Sequence, residues 1–87
     1  DIELAVKRTL DTVYNNTGQT CSAYTRLLVP EEEKEKIEEV VINMTRKYPF
    51  GDPSLSPTNI GPVISERQFL KVKSYIEKGI EEGARLI

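Results

Sequence analysis

Residues 16–23 read NTGQTCSA, separate the first predicted helix from the first predicted strand, and hold the only cysteine of the 87-residue chain. An apolar stripe at helical spacing ends just before this stretch, and a β-prone run begins just after it. Gly18 frees the backbone for a sharp turn, and small residues around Cys21 leave room for a ligand beside the sulfur. Because loops between rigid elements often carry function, Cys21 is the first candidate for chemistry.

Length and composition exclude several classes of protein. Eighty-seven residues form one small domain at most, with marginal stability. The net charge of −2 argues against a nucleic-acid partner, and no apolar run is long enough to span a membrane. One cysteine forms no internal disulfide, which favours a reducing, cytoplasmic location. Since histidine is absent, the chain alone cannot build a Cys–His catalytic pair, and we expect no metal site.

Apolar residues recur at helical spacing in three segments, which predicts three helices. The first runs from a cap at Asp1 to residues 15–18, and the second covers residues 31–47, with an acidic first turn and a basic last turn. The third starts at a capping box formed by Ser65 and Gln68 and stops at Gly83. The stripes consist of Ile2, Val6, Leu10, Val13 and Tyr14; Ile37, Val40, Val41 and Met44; and Phe69, Val72, Tyr75, Ile76 and Ile80.

Two further runs favour strands. Residues 24–29 are β-prone and end in three apolar residues before Pro30, which predicts a buried strand of the parallel type. Residues 84–87 read as the start of a second strand. Helices alternating with strands predict an α/β fold with a parallel sheet, which two strands alone leave incomplete. The connection over residues 48–64 is long for so small a domain, so we expect these 87 residues to be a fragment of something larger.

The loop and two later segments carry a family resemblance. Gly18-Gln19-Thr20-Cys21, with Tyr14 before it and Ala23 and Arg26 after it, resembles the cysteine signature of the NAD(P)-dependent aldehyde dehydrogenase superfamily. Further family-like segments follow in the expected order; they are Gly51-Asp52-Pro53, Ile60-Gly61-Pro62-Val63-Ile64-Ser65, and the helix from Gln68-Phe69 to Glu82-Gly83-Ala84. The resemblance covers essentially the whole chain and identifies residues 1–87 as a partial catalytic domain of this family.

The resemblance implies a function for Cys21 as the catalytic nucleophile. Its thiolate would attack an aldehyde to give a thiohemiacetal, with the Cys21 N–H as one donor to the oxyanion, while Gly18 and Gln19 shape the turn. Hydride transfer to NAD or NADP would leave a thioester, which water releases as the acid. The family's general-base glutamate, oxyanion asparagine and ribose-binding glutamate have no counterpart here. We therefore expect the isolated fragment to bind no cofactor and to be inactive.

Other interpretations stay open at this point. The parent could be a CoA-acylating aldehyde dehydrogenase, in which CoA accepts the acyl group. The chain could be a non-catalytic binding or oligomerisation remnant, or Cys21 could be a redox-sensing thiol. Most lone cysteines are simply small buried apolar residues. As partners we expect a small-molecule aldehyde and further copies of the chain in a homo-oligomer, because its apolar stripes would otherwise stay uncovered.

Overall fold

The computed structural model describes residues 1–87 and contains three α-helices. These are α1, Ile2–Val13; α2, Lys34–Thr45; and α3, Glu66–Glu81. Two short 3₁₀ turns accompany them, Asn15–Gly18 after α1 and Glu31–Glu33 before α2. All three helices lie where the apolar stripes predict them, although the second is α-helical only from Lys34 onward. None of them is both long enough and apolar enough to cross a membrane.

The helix ends follow local chemistry. Asp1 caps α1 by accepting a hydrogen bond from the Leu4 N–H at 3.1 Å, and Ser65 caps α3 by accepting from the Gln68 N–H at 3.3 Å. The return bond from the Gln68 side chain is absent, so only half of the predicted capping box forms. At the other end of α3, Gly83 has φ +98° and the next N–H donates back to the Gly79 carbonyl. This is the left-handed glycine stop that the sequence predicts.

The core is small and lies where α1 packs against α2. Its buried members are Val6, Leu10 and Ile37, all of which belong to the predicted stripes. Half-buried apolar residues surround them, among them Val29 from the run after Cys21 and Tyr48 from the long loop. No residue of α3 is buried. The packed part of the chain therefore supports the segment that leads into the Cys21 loop, while α3 keeps its apolar stripe exposed.

Neither predicted strand is present. The backbone groups of residues 24–29 neither donate to nor accept from any other backbone group, and residues 84–87 form no bridge. A strand is defined by a hydrogen-bonded neighbour, and nothing in the 87 residues supplies one for either run. The β structure consists of one isolated parallel bridge between Phe50 and Ile60. The α/β class and its two strands are thus not confirmed, and the chain by itself is helical.

The long loop is folded back on itself rather than structureless. The N–H groups of Asn59 and Ile60 both donate to the Pro49 carbonyl, at 2.8 and 3.1 Å, and the Gly51 N–H donates to the Ile60 carbonyl at 3.0 Å. Its two ends are therefore held together, as in compact surface loops. The fold-back carries residues 61–64 to the loop that holds Cys21.

Candidate active site

Cys21 lies at the tip of a tight turn. The Ala23 N–H donates to the Thr20 carbonyl at 3.2 Å, which closes the turn around Cys21 and Ser22. The thiol is free and exposed. The Cys21 N–H donates to no backbone carbonyl. Cys21 thus combines an exposed thiol with a backbone N–H that has no partner in the chain.

The backbone before the turn has an uncommon conformation. Asn16, Thr17 and Gly18 have φ values of 50°, 59° and 75° in succession. Gly18 is required there because a Cβ atom would lie 3.2 Å from the Val13 carbonyl oxygen. Asn tolerates the left-handed region, but a β-branched residue such as Thr17 rarely adopts it. Sequence reasoning predicted the break at residues 15–18 and missed the role of Thr17.

Hydrogen bonds to a distant segment hold this conformation. Thr17 Oγ1 donates to the Gly61 carbonyl at 3.2 Å, across 44 positions of sequence. Gln19 Oε1 accepts from the Ile64 N–H at 3.0 Å, across 45 positions. Two of the segments that the sequence singled out separately are therefore in direct contact. Gln19 and Gly18 were predicted to shape the turn, and the structure places both inside it.

The Gly51-Asp52-Pro53 segment packs against Gly61, next to the residues that hold the Cys21 loop. A Cβ atom on Gly61 would lie 3.5 Å from Pro53 Cβ, so the backbone at Gly61 passes close to the Pro53 side chain. Asp52 Oδ1 accepts hydrogen bonds from the Ser54 hydroxyl at 2.7 Å and the Ser54 N–H at 2.8 Å. These bonds lower the pKa of Asp52, and its carboxylate stabilises the turn. This segment supports residues 61–64, which in turn hold the Cys21 loop.

A polar cluster stabilises the end of α1, from which the loop departs. Tyr48 donates its hydroxyl proton to Asp11 Oδ1 at 2.5 Å, and its ring packs against Tyr14 with centroids 5.3 Å apart. Hydrogen bonds lower the pKa of Asp11, the larger effect coming from Lys7 and the next from Tyr48. Burial, reinforced by Asp11, raises the pKa of Tyr48 to about 12. The neutral phenol and the ionised carboxylate therefore form a stable pair at neutral pH.

No general base is held against the thiol. The side-chain hydrogen bond nearest to Cys21 in sequence is that of Thr20, whose hydroxyl donates to the Asn15 carbonyl at 3.2 Å. No side chain forms a hydrogen bond with the free thiol of Cys21. The helix starts are also poor sites for a dinucleotide. Each has an acidic side chain in its first turn, Glu3 in α1, Glu35 in α2 and Glu66 in α3. A carboxylate there disfavours a pyrophosphate group.

Comparison with known proteins gives one consistent result. A sequence model described as the aldehyde dehydrogenase family matches residues 1–87. A provisionally named aldehyde dehydrogenase of Staphylococcus haemolyticus is 49% identical over 86 residues, and one of Staphylococcus epidermidis is 46% identical over 86 residues. Each alignment covers 99% of this chain and 18% of the relative. The chain thus spans less than a fifth of the length of these proteins.

A solved structure shows the same relationship in three dimensions. It is a cysteine-to-alanine variant of aldehyde dehydrogenase C from Pseudomonas syringae, crystallised with NAD+ and octanal. The two structures superpose with a TM-score of 0.93 at 36% sequence identity, over 99% of this chain and 18% of the other. The arrangement of α1, the Cys21 loop, the folded-back loop and α3 is therefore shared with that enzyme. On the agreement of sequence and structure over its whole length, the chain belongs to the aldehyde dehydrogenase family.

Proposed function

We propose that residues 1–87 are part of the catalytic domain of a longer enzyme that oxidises an aldehyde to a carboxylic acid with NAD or NADP, and that Cys21 is its nucleophile. The observation that carries this proposal is the turn itself. It exposes a free thiol beside an unpaired N–H and is held by two long-range hydrogen bonds. The related crystal structure holds both NAD+ and octanal in a variant in which one cysteine is replaced by alanine, which fits a cysteine requirement for turnover.

The part of the reaction that this chain can perform is the addition step. The Cys21 thiolate attacks the aldehyde carbon, a C–S bond forms, and the C=O π electrons move onto oxygen. In this proposal the Cys21 N–H donates to that developing oxyanion. The oxidation then needs a hydride acceptor, a chemistry that NAD(P)+ supplies when it is bound elsewhere in the longer protein. Hydrolysis of the thioester likewise needs a base from outside these residues.

Replacing Cys21 tests the proposal in the full-length protein that carries these residues. We expect Cys21→Ala to abolish aldehyde-dependent NADH production from a panel of straight-chain aldehydes that includes octanal, because no other thiol exists in this segment. Ser22→Ala removes the neighbouring hydroxyl as a matched control and should keep its activity. Activity retained by Cys21→Ala would overturn the proposal. The 87-residue chain alone should produce no NADH.

A further inference from the structure

The Gln19 side chain uses both ends of its amide although it is exposed to solvent. Its Oε1 accepts from the Ile64 N–H at 3.0 Å, while its Nε2 donates to the Asn16 carbonyl at 3.1 Å. Asn16 Nδ2 returns a bond to the Gln19 carbonyl at 3.3 Å. One side-chain amide thus both closes the left-handed turn and connects it to Ile64. Only a side chain with a donor and an acceptor in one plane can do both.

The strained conformation before Gln19 gives this bond its importance. Asn16 and Thr17 are non-glycine residues with positive φ, a costly conformation that persists only where the surrounding structure over-determines it. The hydrogen bonds from Thr17 to Gly61 and from Gln19 to Ile64 provide that determination. Of these two, the Gln19 bond lies nearer to Cys21, only two residues away.

Beyond Gln19 the hydrogen bonds of the turn are local. The Thr20 hydroxyl donates to the Asn15 carbonyl, and the Ala23 N–H donates to the Thr20 carbonyl. The residues that follow, 24–29, make no backbone hydrogen bond within the chain. The long-range hydrogen bonds that hold the Cys21 turn therefore all lie on its N-terminal side, at Thr17 and Gln19.

We propose that Gln19 is a positioning residue, which fixes the attack geometry of Cys21 by bridging Asn16 and Ile64. This inference rests on the proposed function, in that Cys21 is the attacking group. A change at Gln19 should alter the fraction of enzyme in which the sulfur is aligned with a bound aldehyde. It should therefore act on kcat, and it should leave the KM for the aldehyde little changed, because Gln19 itself need not touch the substrate.

Two substitutions in the full-length protein separate the two ends of the amide. Gln19→Leu removes both hydrogen bonds, and Gln19→Glu keeps the acceptor for Ile64 but loses the donor to Asn16. With the most rapidly oxidised aldehyde, we expect kcat to fall about 10- to 100-fold in Gln19→Leu, the loss typical of a reacting atom misplaced by about 1 Å. Gln19→Glu should lie between Gln19→Leu and the wild type. Gln68→Leu is the matched control, since the Gln68 side chain is exposed and makes no hydrogen bond.

Hydrogen exchange provides a readout that does not depend on activity. Without its acceptor, the Ile64 N–H should exchange faster in Gln19→Leu, and so should the Gln19 and Ala23 amides, which donate the backbone hydrogen bonds of the turn, whereas Gln68→Leu should match the wild type. Unchanged exchange would overturn the inference, and so would faster exchange with a normal kcat or an effect confined to KM. A wild-type protein with no aldehyde dehydrogenase activity would instead refute the proposed function, and exchange would still show whether Gln19 orders the loop.

Discussion

Three consecutive residues with positive φ precede Gln19, and only the last of them is a glycine. The two non-glycine residues keep this conformation because side-chain bonds hold them, from Thr17 to Gly61 and between Asn16 and Gln19. Gly18 makes no such bond and depends on having no Cβ atom. The loop thus combines one residue that must be small with two that must be polar.

Gly18→Ala should destabilise the protein by about 1–2 kcal/mol, the cost of placing an L-residue in the left-handed region. The new Cβ atom would also press on the Val13 carbonyl oxygen from 3.2 Å. Gly79→Ala is the matched control, because it lies within α3 with no atom inside 4 Å of the added Cβ. There the same change should stabilise by up to about 1 kcal/mol. Urea unfolding measures both, and equal effects would contradict this account.

The sequence predicts part of this loop and misses the rest for a physical reason. Asn and Gly mark the end of α1 because both tolerate left-handed backbone, and Cys21 stands out as the single thiol. The partner of Thr17 lies 44 positions away and that of Gln19 lies 45 positions away. Those contacts depend on how the long loop folds back, which no local pattern of residues encodes.

Secondary-structure elements in this chain form where their partners are local. The i to i−4 bonds of α1, α2 and α3 lie within each segment, so apolar spacing and end caps suffice to predict them. A strand needs a neighbour, and residues 24–29 have none in the chain. A β-prone composition cannot by itself produce a sheet, so the predicted strand over residues 24–29 does not form within this chain.

The contact between α1 and the long loop makes stability depend on pH. Lys7 and Tyr48 lower the pKa of Asp11 in the folded protein. A lowered carboxyl pKa adds stability that is present above the unfolded value, about 3.9, and is lost as the pH falls through the folded value. Tyr48→Phe removes one of these two contributions. In this variant the pKa of Asp11 should be higher than in the wild type, and the free energy of unfolding should fall less as the pH is lowered.

Urea unfolding below and above about pH 4, near the ordinary carboxyl pKa, tests this expectation. Tyr14→Phe serves as the control, because Tyr14 meets Tyr48 through its ring and its hydroxyl makes no hydrogen bond to Asp11. Its pH profile should follow that of the wild type. A Tyr48→Phe profile that also follows the wild type would show that the hydrogen bond to Asp11 does not contribute.

Over the whole molecule, the buried core is small compared with the apolar surface. Val6, Leu10 and Ile37 are the only buried residues, whereas sixteen large apolar residues are exposed. Five of the exposed ones form the stripe of α3, which has its polar residues on the opposite face; they are Phe69, Val72, Tyr75, Ile76 and Ile80. A surface of this kind is typical of a face that is covered by another part of a protein or by another copy.

The isolated 87-residue chain should therefore self-associate through the α3 stripe. Sedimentation should show species larger than a monomer, and Ile76→Lys should shift them toward the monomer, because it places a charge at the centre of the stripe, where Ile76 is 50% exposed. Ser74→Lys adds the same charge on the polar face of α3 and should leave the association unchanged. A wild-type chain that sediments as a monomer would contradict the prediction, as would equal effects of the two lysines. In the full-length protein, the same stripe would pack against residues outside this segment, so Ile76→Lys should there lower stability rather than change association.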